Sequence, residues 1–236
     1  MARRAGRVTL RAILFDKDGT LTDFRATWTD WLREAVRALS LETGTDPQIV
    51  AEALGFDRAR DRIDPHGPFV HQSNAEHVAR LAPRTGWSAE ALALWVERRA
   101  RDVPQVPAPG VADALAALEA DGWTMGVLTN ATTAEAAAHL GAMGLRDRFV
   151  RIVGCEVAGP KPDPAGALAF ARARRLSPAE ILVVGDGLTD MEAARRAGMP
   201  AVAVLTGTLG RAALEPHARA VLDGVAALPG WLAANA

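Results

Sequence analysis

ILFDKDGTLTDF, from Ile13 to Phe24, decides how the chain is read. Three apolar residues in a row, Ile13, Leu14 and Phe15, predict a strand buried on both faces of a parallel sheet, where polar alternation is lost. The strand then stops at an acid. Asp16 and Asp18 are two apart, so in extended backbone they point the same way, with Lys17 opposite. Gly19 permits a sharp turn at the strand end. Acids this close repel each other, and a fold tolerates them with a cation or a proton between them. A metal site is one reading. A polar strand-to-loop turn, where Asp and Gly are ordinary residues, is the other.

The chain has 236 residues, 49% of them hydrophobic, with mean hydropathy +0.04 and net charge -1. That length holds one large or two modest domains with a substantial core. The near-zero charge sets up no field favouring nucleic acid or an anionic membrane, so neither partner is expected. The basic start MARRAGR leads into no long apolar run, so neither a signal peptide nor a membrane span is expected. The single cysteine, Cys155, allows no internal disulfide and suits a reducing cytoplasm.

From about Leu21 to Pro107 the patterns are helical. ATWTDWLREAVRALS puts Trp28, Trp31, Leu32, Ala35, Val36 and Leu39 on one stripe, with Thr27 or Thr29 as a cap. Asp46 and Pro47 open a second helix that carries Ile49, Val50, Ala53 and Leu54 inward. Two more follow, Asn74 to Ala82 and Ser88 to Val103. Between the second and third of these helices, Arg58 to Asn74, rich in charge, His, Pro and Gly, reads as a loop, either functional or solvated. The proline-rich VPQVPAPG, Val103 to Gly110, reads as a linker and hinge.

After Gly110 strands alternate with helices, which predicts a parallel sheet covered on both faces. In such sheets ligands bind beyond the carboxyl ends of the strands. There the sequence gathers Asp16 and Asp18, then Thr129 and Asn130, then Asp186 with Asp190, while Lys161 sits in the GPKPDP loop. Singly, each has an ordinary explanation as a cap, a turn acid or a solvated charge.

Together, DKDGT, LTN, the KPDP lysine and GDGLTD, in this order and spacing, resemble the haloacid dehalogenase-like hydrolase superfamily, especially its phosphoglycolate phosphatase-like members. The resemblance covers almost the whole chain. It implies an α/β fold, with a Rossmann-like parallel sheet core (1–20 and 106–236) and a small all-helical cap domain (21–105). It also implies Mg²⁺-dependent phosphoryl transfer through an aspartyl-phosphate. Asp16 would be the nucleophile and Asp18 the general acid and base, its pKa raised by nearby carboxylates. Thr129 would hydrogen-bond the phosphoryl oxygens, and Lys161 would neutralise charge. Asp186 would ligate the metal with Asp16 and the backbone carbonyl of Asp18, and Asp190 would support the metal or orient Lys161.

Substrate binding is expected of Gly19, Thr20 and Asn130, and in the insert of Arg60, Arg62, His66 and His71. His139 and His217 are expected on helix surfaces. Lys17, where the phosphatases are commonly apolar, and Gly187, where Ser or Thr is frequent, depart from the family pattern. The acid at position 18 disfavours dehalogenation, and the lack of spans disfavours an ion pump. The expected activity is hydrolysis of a small phosphorylated metabolite such as phosphoglycolate, a sugar phosphate or a nucleotide. A phosphomutase and a non-catalytic metabolite-binding or regulatory protein are the alternatives.

Overall fold

A computed structural model describes residues 9–72 and 74–235, apart from the side chain of His71. The opening run forms β1 (Ala12–Phe15), buried along its whole length. Ile13 and Phe15 enter one hydrophobic core, Ala12 and Leu14 another. Both faces are covered, which is why the run carries no polar alternation.

A largely helical segment comes next: α1 (Phe24–Thr43), α2 (Pro47–Leu54), a hairpin of β2 (Phe56–Asp57) and β3 (Arg62–Ile63), then α3 (Pro68–His71), α4 (Asn74–Thr85) and α5 (Ala89–Arg101). It has a third core of its own, in which Leu32, Leu39, Leu81 and Leu92 are all but fully buried. Burying each such leucine contributes roughly 1.5–3 kcal/mol.

Three details differ from the sequence expectation. The stretch expected as a loop, Arg58 to Asn74, contains β3 (Arg62–Ile63), which pairs antiparallel with Phe56–Asp57 just before it, and the short α3. Helix α1 is capped by Asp23, whose carboxylate accepts from the Ala26 N–H at 2.9 Å, so it starts before the threonines. Thr27 instead accepts from the Val106 N–H at 3.1 Å, across the junction with the chain's return. Ile49, expected inward, is 43% exposed, because α2 is short and only its other flank packs.

The remainder alternates: α6 (Val111–Ala120), β4 (Thr124–Leu128), α7 (Thr133–Ala142), β5 (Arg151–Val153), α8 (Cys155–Ala158), α9 (Ala165–Arg174), β6 (Ile181–Gly185), α10 (Leu188–Ala197), β7 (Ala201–Val204), α11 (Arg211–Leu214), β8 (Val221–Leu222) and α12 (Leu228–Asn235). The strands form one parallel sheet in the order β5-β4-β1-β6-β7-β8. Strand β1 is therefore flanked by β4 and β6, and the three strands end in register, with Phe15 opposite Val127 and Val184. Asp16, Thr129 and Asp186 are brought to one edge by this order alone. The chain runs outward from β1 through β4 to β5 on one side and returns to β6, β7 and β8 on the other, so this edge is also where the strand order reverses.

The two segments that join the helical insert to the sheet run side by side. Asp23 N–H donates to Val106 O at 2.8 Å, and Ala108 N–H to Leu21 O at 3.0 Å. No helix among the described residues is long and apolar enough to cross a membrane.

Candidate active site

The site grows from the end of β1. Asp16 is anchored by its own N–H, which donates to Val184 O on β6 at 2.8 Å. Its carboxylate accepts from Lys161 Nζ, which also donates to Asp190 Oδ1 at 2.7 Å. Asp16, Asp186 and Asp190 each offer a carboxylate oxygen, all within 4.8 Å of one another, and all three are buried. One lysine cannot balance three buried acids, so the cluster is short of positive charge. Burial pushes the Asp16 carboxyl up to about 7, with Lys161 opposing and Asp190 and Asp18 adding to the rise. Asp186 is raised well above the ordinary carboxylate range by burial and then by Asp16 and Asp190. Burial opposes the charge on Lys161, yet Asp16 and Asp190 hold its pKa above the usual value. A hard divalent cation with oxygen ligands fits this donor set.

Close backbone approach makes the cluster possible. Gly19 has φ 86°, and a Cβ there would lie 2.5 Å from Asp186 Oδ2. At Gly207, in the turn after β7, a Cβ would lie 1.7 Å from the same oxygen. Thr206 ties that turn back, its hydroxyl donating to Gly19 O at 2.6 Å. Thr20 is fully buried and its hydroxyl donates to Asp186 Oδ1 at 3.3 Å. Gly19 and Thr20, expected to contact substrate, pack against Asp186. Gly187 leads into α10, where its N–H donates to Asp190 Oδ2 at 3.0 Å, so Asp190 is held from both ends.

Thr129 and Asn130 follow β4. The Thr129 hydroxyl accepts from the Ala131 N–H at 3.1 Å. Asn130 Oδ1 accepts from the Lys161 N–H at 2.7 Å, and its Nδ2 donates to Lys161 O at 3.4 Å. The carboxamide therefore grips the main chain of the lysine, which assigns Asn130 a positioning task beside the contact with substrate expected of it.

Asp18 leaves the acidic cluster. Its Oδ1 accepts from Lys17 Nζ at 2.6 Å and from Trp28 Nε1, on α1, at 2.9 Å. Lys17, expected to point away, is completely buried because the backbone turns immediately after β1. Its ammonium also donates to His139 Nδ1 at 3.1 Å and lies 5.7 Å from the centre of the Trp28 ring. An ammonium has only protons to offer, so the imidazole accepts at Nδ1 and donates from Nε2 to Ala100 O, 2.9 Å away. His139 is thus neutral and 1% exposed, not on a helix surface; burial, then Lys17, lowers its pKa. Burial works against the charge on Asp18, but Lys17 and then Trp28 prevail and hold its carboxyl below the usual range. The rise expected from neighbouring acids is therefore reversed.

A cavity of about 100 Å³ lies above these groups. Its floor includes Asp16, Thr129, Lys161 and Asp186; its roof, from the helical insert, is Phe24, Trp28, Trp31, Phe69 and His77. Phe69 stacks on Trp31 and on His77 at centroid distances of 5.8 and 5.5 Å. Arg60, Arg62 and His66 do not line it. They are exposed, and Arg60 is paired with Asp57 in the hairpin that turns this stretch outward. The His71 side chain lies outside the described residues. Glu135 escaped the sequence reading, and His139 was placed on a helix surface. Spaced i and i+4 on α7, beside buried Ala136 and Leu140, they are polar residues on an inward face, and that was the available signal.

A family model of haloacid dehalogenase-like hydrolases matches residues 10–198, a span from just before β1 to just after α10. The chain belongs to this family. The hydrolase is 32% identical over 219 residues to phosphoglycolate phosphatase of Mesorhizobium japonicum, covering 92% of each chain. It is 39% identical over 217 residues to phosphoglycolate phosphatase of Escherichia coli, covering 84% of this chain and 82% of that one. Among solved structures, CbbY from Rhodobacter sphaeroides in complex with phosphate superposes with a TM-score of 0.72 at 22% identity, covering 93% and 96% of the two chains. With these relatives, the hydrolase is a phosphoric monoester hydrolase.

Proposed function

We propose that the hydrolase is a Mg²⁺-dependent phosphatase of a small phosphorylated metabolite, working through an aspartyl-phosphate on Asp16. One observation carries the reading: Asp16, at the centre of the sheet edge, is contacted by Lys161 and clustered with Asp186 and Asp190. A phosphate monoester and a carboxylate repel, so attack requires that their charge be cancelled. Asp16 and Asp186, with the main-chain carbonyl of Asp18, would hold the cation, and Asp190 would steady Lys161 beside them. When bound, the Mg²⁺ supplies positive charge shared between these carboxylates and the phosphate.

Within that frame Asp16 attacks phosphorus, Lys161 neutralises the charge that builds up, and Thr129 donates to a phosphoryl oxygen. Covalent catalysis divides the displacement into two steps. In the first, the ester P–O bond breaks as Asp16 bonds phosphorus, and the departing alkoxide takes the proton of the Asp18 acid; in the second, Asp18, now ionised and paired with Lys17, takes a proton from the water that displaces phosphate from Asp16.

Residues 21–105 act as a cap over a core of 1–20 and 106–236, hinged where Leu21–Asp23 and Val106–Ala108 run together. Cap closure brings Trp28 onto Asp18 and sheds water from the site. Phosphoglycolate is the substrate named for several relatives, and N-acetylmuramic acid 6-phosphate for another. Sugar phosphates and nucleotides complete the candidate class, and a reducing cytoplasm suits the half-buried Cys155.

The test is phosphate release from a panel of phosphate esters, with Mg²⁺ and with chelator, and with Asp16→Asn as control. Metal-dependent release abolished by the substitution is expected. Turnover that survives Asp16→Asn, or that ignores chelator, would overturn the reading. Isomerisation of a sugar phosphate without net phosphate release would move the assignment to a mutase.

A further inference from the structure

The cavity has two halves of opposite character. The floor is built for a phosphoryl group, whereas the half that must receive the alcohol is aromatic and acidic. Among the described residues that line it, Lys161 is the only lysine or arginine, and its ammonium is committed to Asp16 and Asp190. His77 is buried, its ring bonded to Pro68 O at 3.1 Å, and burial holds its pKa down. Among the described side chains that line that half, none is a cation awaiting a second anionic group.

Glu135 points to what it does await. It lies in the first turn of α7, is 5% exposed and lines the cavity. Its Oε2 is buried without a hydrogen-bond partner. The nearby cations are engaged elsewhere: Lys17 with Asp18 and His139, Arg101 with Glu97 at 3.2 Å. Burial pushes the Glu135 carboxyl up to about 7; its buried oxygen without a partner is costly, and a ligand that brings a donor recovers that cost and favours the ionised form. A ligand that brings a carboxylate or a phosphate instead would place like charges together in a confined, water-poor space.

We propose that the hydrolase selects compact phosphomonoesters whose alcohol part presents a hydroxyl or ammonium donor to Glu135, and discriminates against those that carry a carboxylate or a second phosphate. The inference rests on the phosphatase reading above and narrows its substrate class. It separates the chain from the substrate in its relatives' names, because specificity resides in site residues and not in the fold. The aromatic roof suits the carbon skeleton of such an alcohol, and the small volume of about 100 Å³ suits a short one. Pockets that take drug-sized ligands measure roughly 300–1,000 Å³.

Four esters on a two-carbon frame test this: 2-hydroxyethyl phosphate, phosphoethanolamine, ethyl phosphate and phosphoglycolate, assayed for kcat/KM with Mg²⁺ beside acetyl phosphate. In the unmodified enzyme the hydroxyl and ammonium esters are expected to exceed phosphoglycolate by at least about tenfold, the scale of one charge-assisted hydrogen bond. Glu135→Gln, which keeps shape and removes charge, is expected to narrow the ammonium-to-carboxylate ratio by about tenfold, and Glu135→Asp to preserve the ranking. Each ratio is taken within one variant, so a partly folded preparation does not distort it. Phosphoglycolate matching the hydroxyl ester, or a ratio unmoved by Glu135→Gln, overturns the inference while acetyl phosphate turnover leaves the phosphatase reading intact. No turnover of any ester, acetyl phosphate included, brings down both.

Discussion

Lys17 Nζ donates to Asp18 Oδ1 across 2.6 Å, so two consecutive residues after β1 form an ion pair with the lysine wholly buried. The pair depresses the Asp18 pKa, so its contribution to stability is present above the unfolded carboxyl value and lost as pH falls through the lower folded one. Lys17→Met removes the charge and keeps most of the volume. It is expected to cost about 3 kcal/mol at neutral pH, the scale for breaking a buried pair. The acidic limb of the pH–rate profile should move upward, because position 18 then ionises at higher pH. Urea denaturation and a pH–rate series check both; an acidic limb that stays in place contradicts the role given to Lys17.

The acidic cluster makes the opposite contribution to stability. Asp16 rises from 3.8 to about 7 on folding, and Asp186 also rises. Between those values the native state holds more protons than the unfolded one, so metal-free stability falls as pH increases from about 4 to about 7. Saturating Mg²⁺ should flatten that slope, and metal-free Asp186→Asn should lie above the unmodified protein at pH 7. Chemical denaturation with chelator across this range measures it, and stability that climbs with pH would be the contrary result.

Asn130 grips both main-chain polar groups of Lys161. Asn130→Ala leaves every charged group in place but frees the lysine to shift. The expected outcome is a fall in kcat of roughly 10²-fold, the price of misplacing a catalytic group by about an ångström. Thermal stability should drop by only about 1 kcal/mol. Steady-state kinetics beside a melting curve separates the two, and unchanged kcat would mean that the grip is ornamental.

Gly207 gives a control that sequence proximity does not suggest. A Cβ at 207 would collide with Asp186 Oδ2 at 1.7 Å, whereas at Gly210, three residues on, nothing lies within 4 Å. Gly207→Ala must displace Asp186 and is expected to raise the Mg²⁺ concentration for half-maximal activity by at least about tenfold, as losing a supporting contact at a metal site does. Gly210→Ala should leave it unchanged. A metal titration of both variants decides.

What the sequence disclosed and what it withheld follow from the range of the interactions. The sheet edge was legible because each strand carries its functional residue immediately after its apolar run, so Asp16, Thr129 and Asp186 needed only parallel order to meet. Asp23 as the α1 cap was missed for a local reason: two threonines nearby offered the same chemistry, and Val106, 79 positions from Thr27, took one of them. The partners of Lys17 are further still, His139 lying 122 positions away, and nothing in the local pattern joins them. Arg60 and Arg62 were expected in the site on charge alone. A short hairpin with its own Asp57 partner turns them to solvent, as charge-rich turns commonly do.

Trp28 and Trp31, edge to face at 5.5 Å, sit on the seam between the helical insert and the sheet, and Trp28 is held there by a carboxylate, beside an ammonium and an imidazole. Separation of the seam would carry that indole from a dry, charge-flanked setting into water. The molecule therefore contains its own optical gauge: with the other five of its six tryptophans replaced, the emission of Trp28 would register separation of the seam, with no dye attached and no substrate consumed.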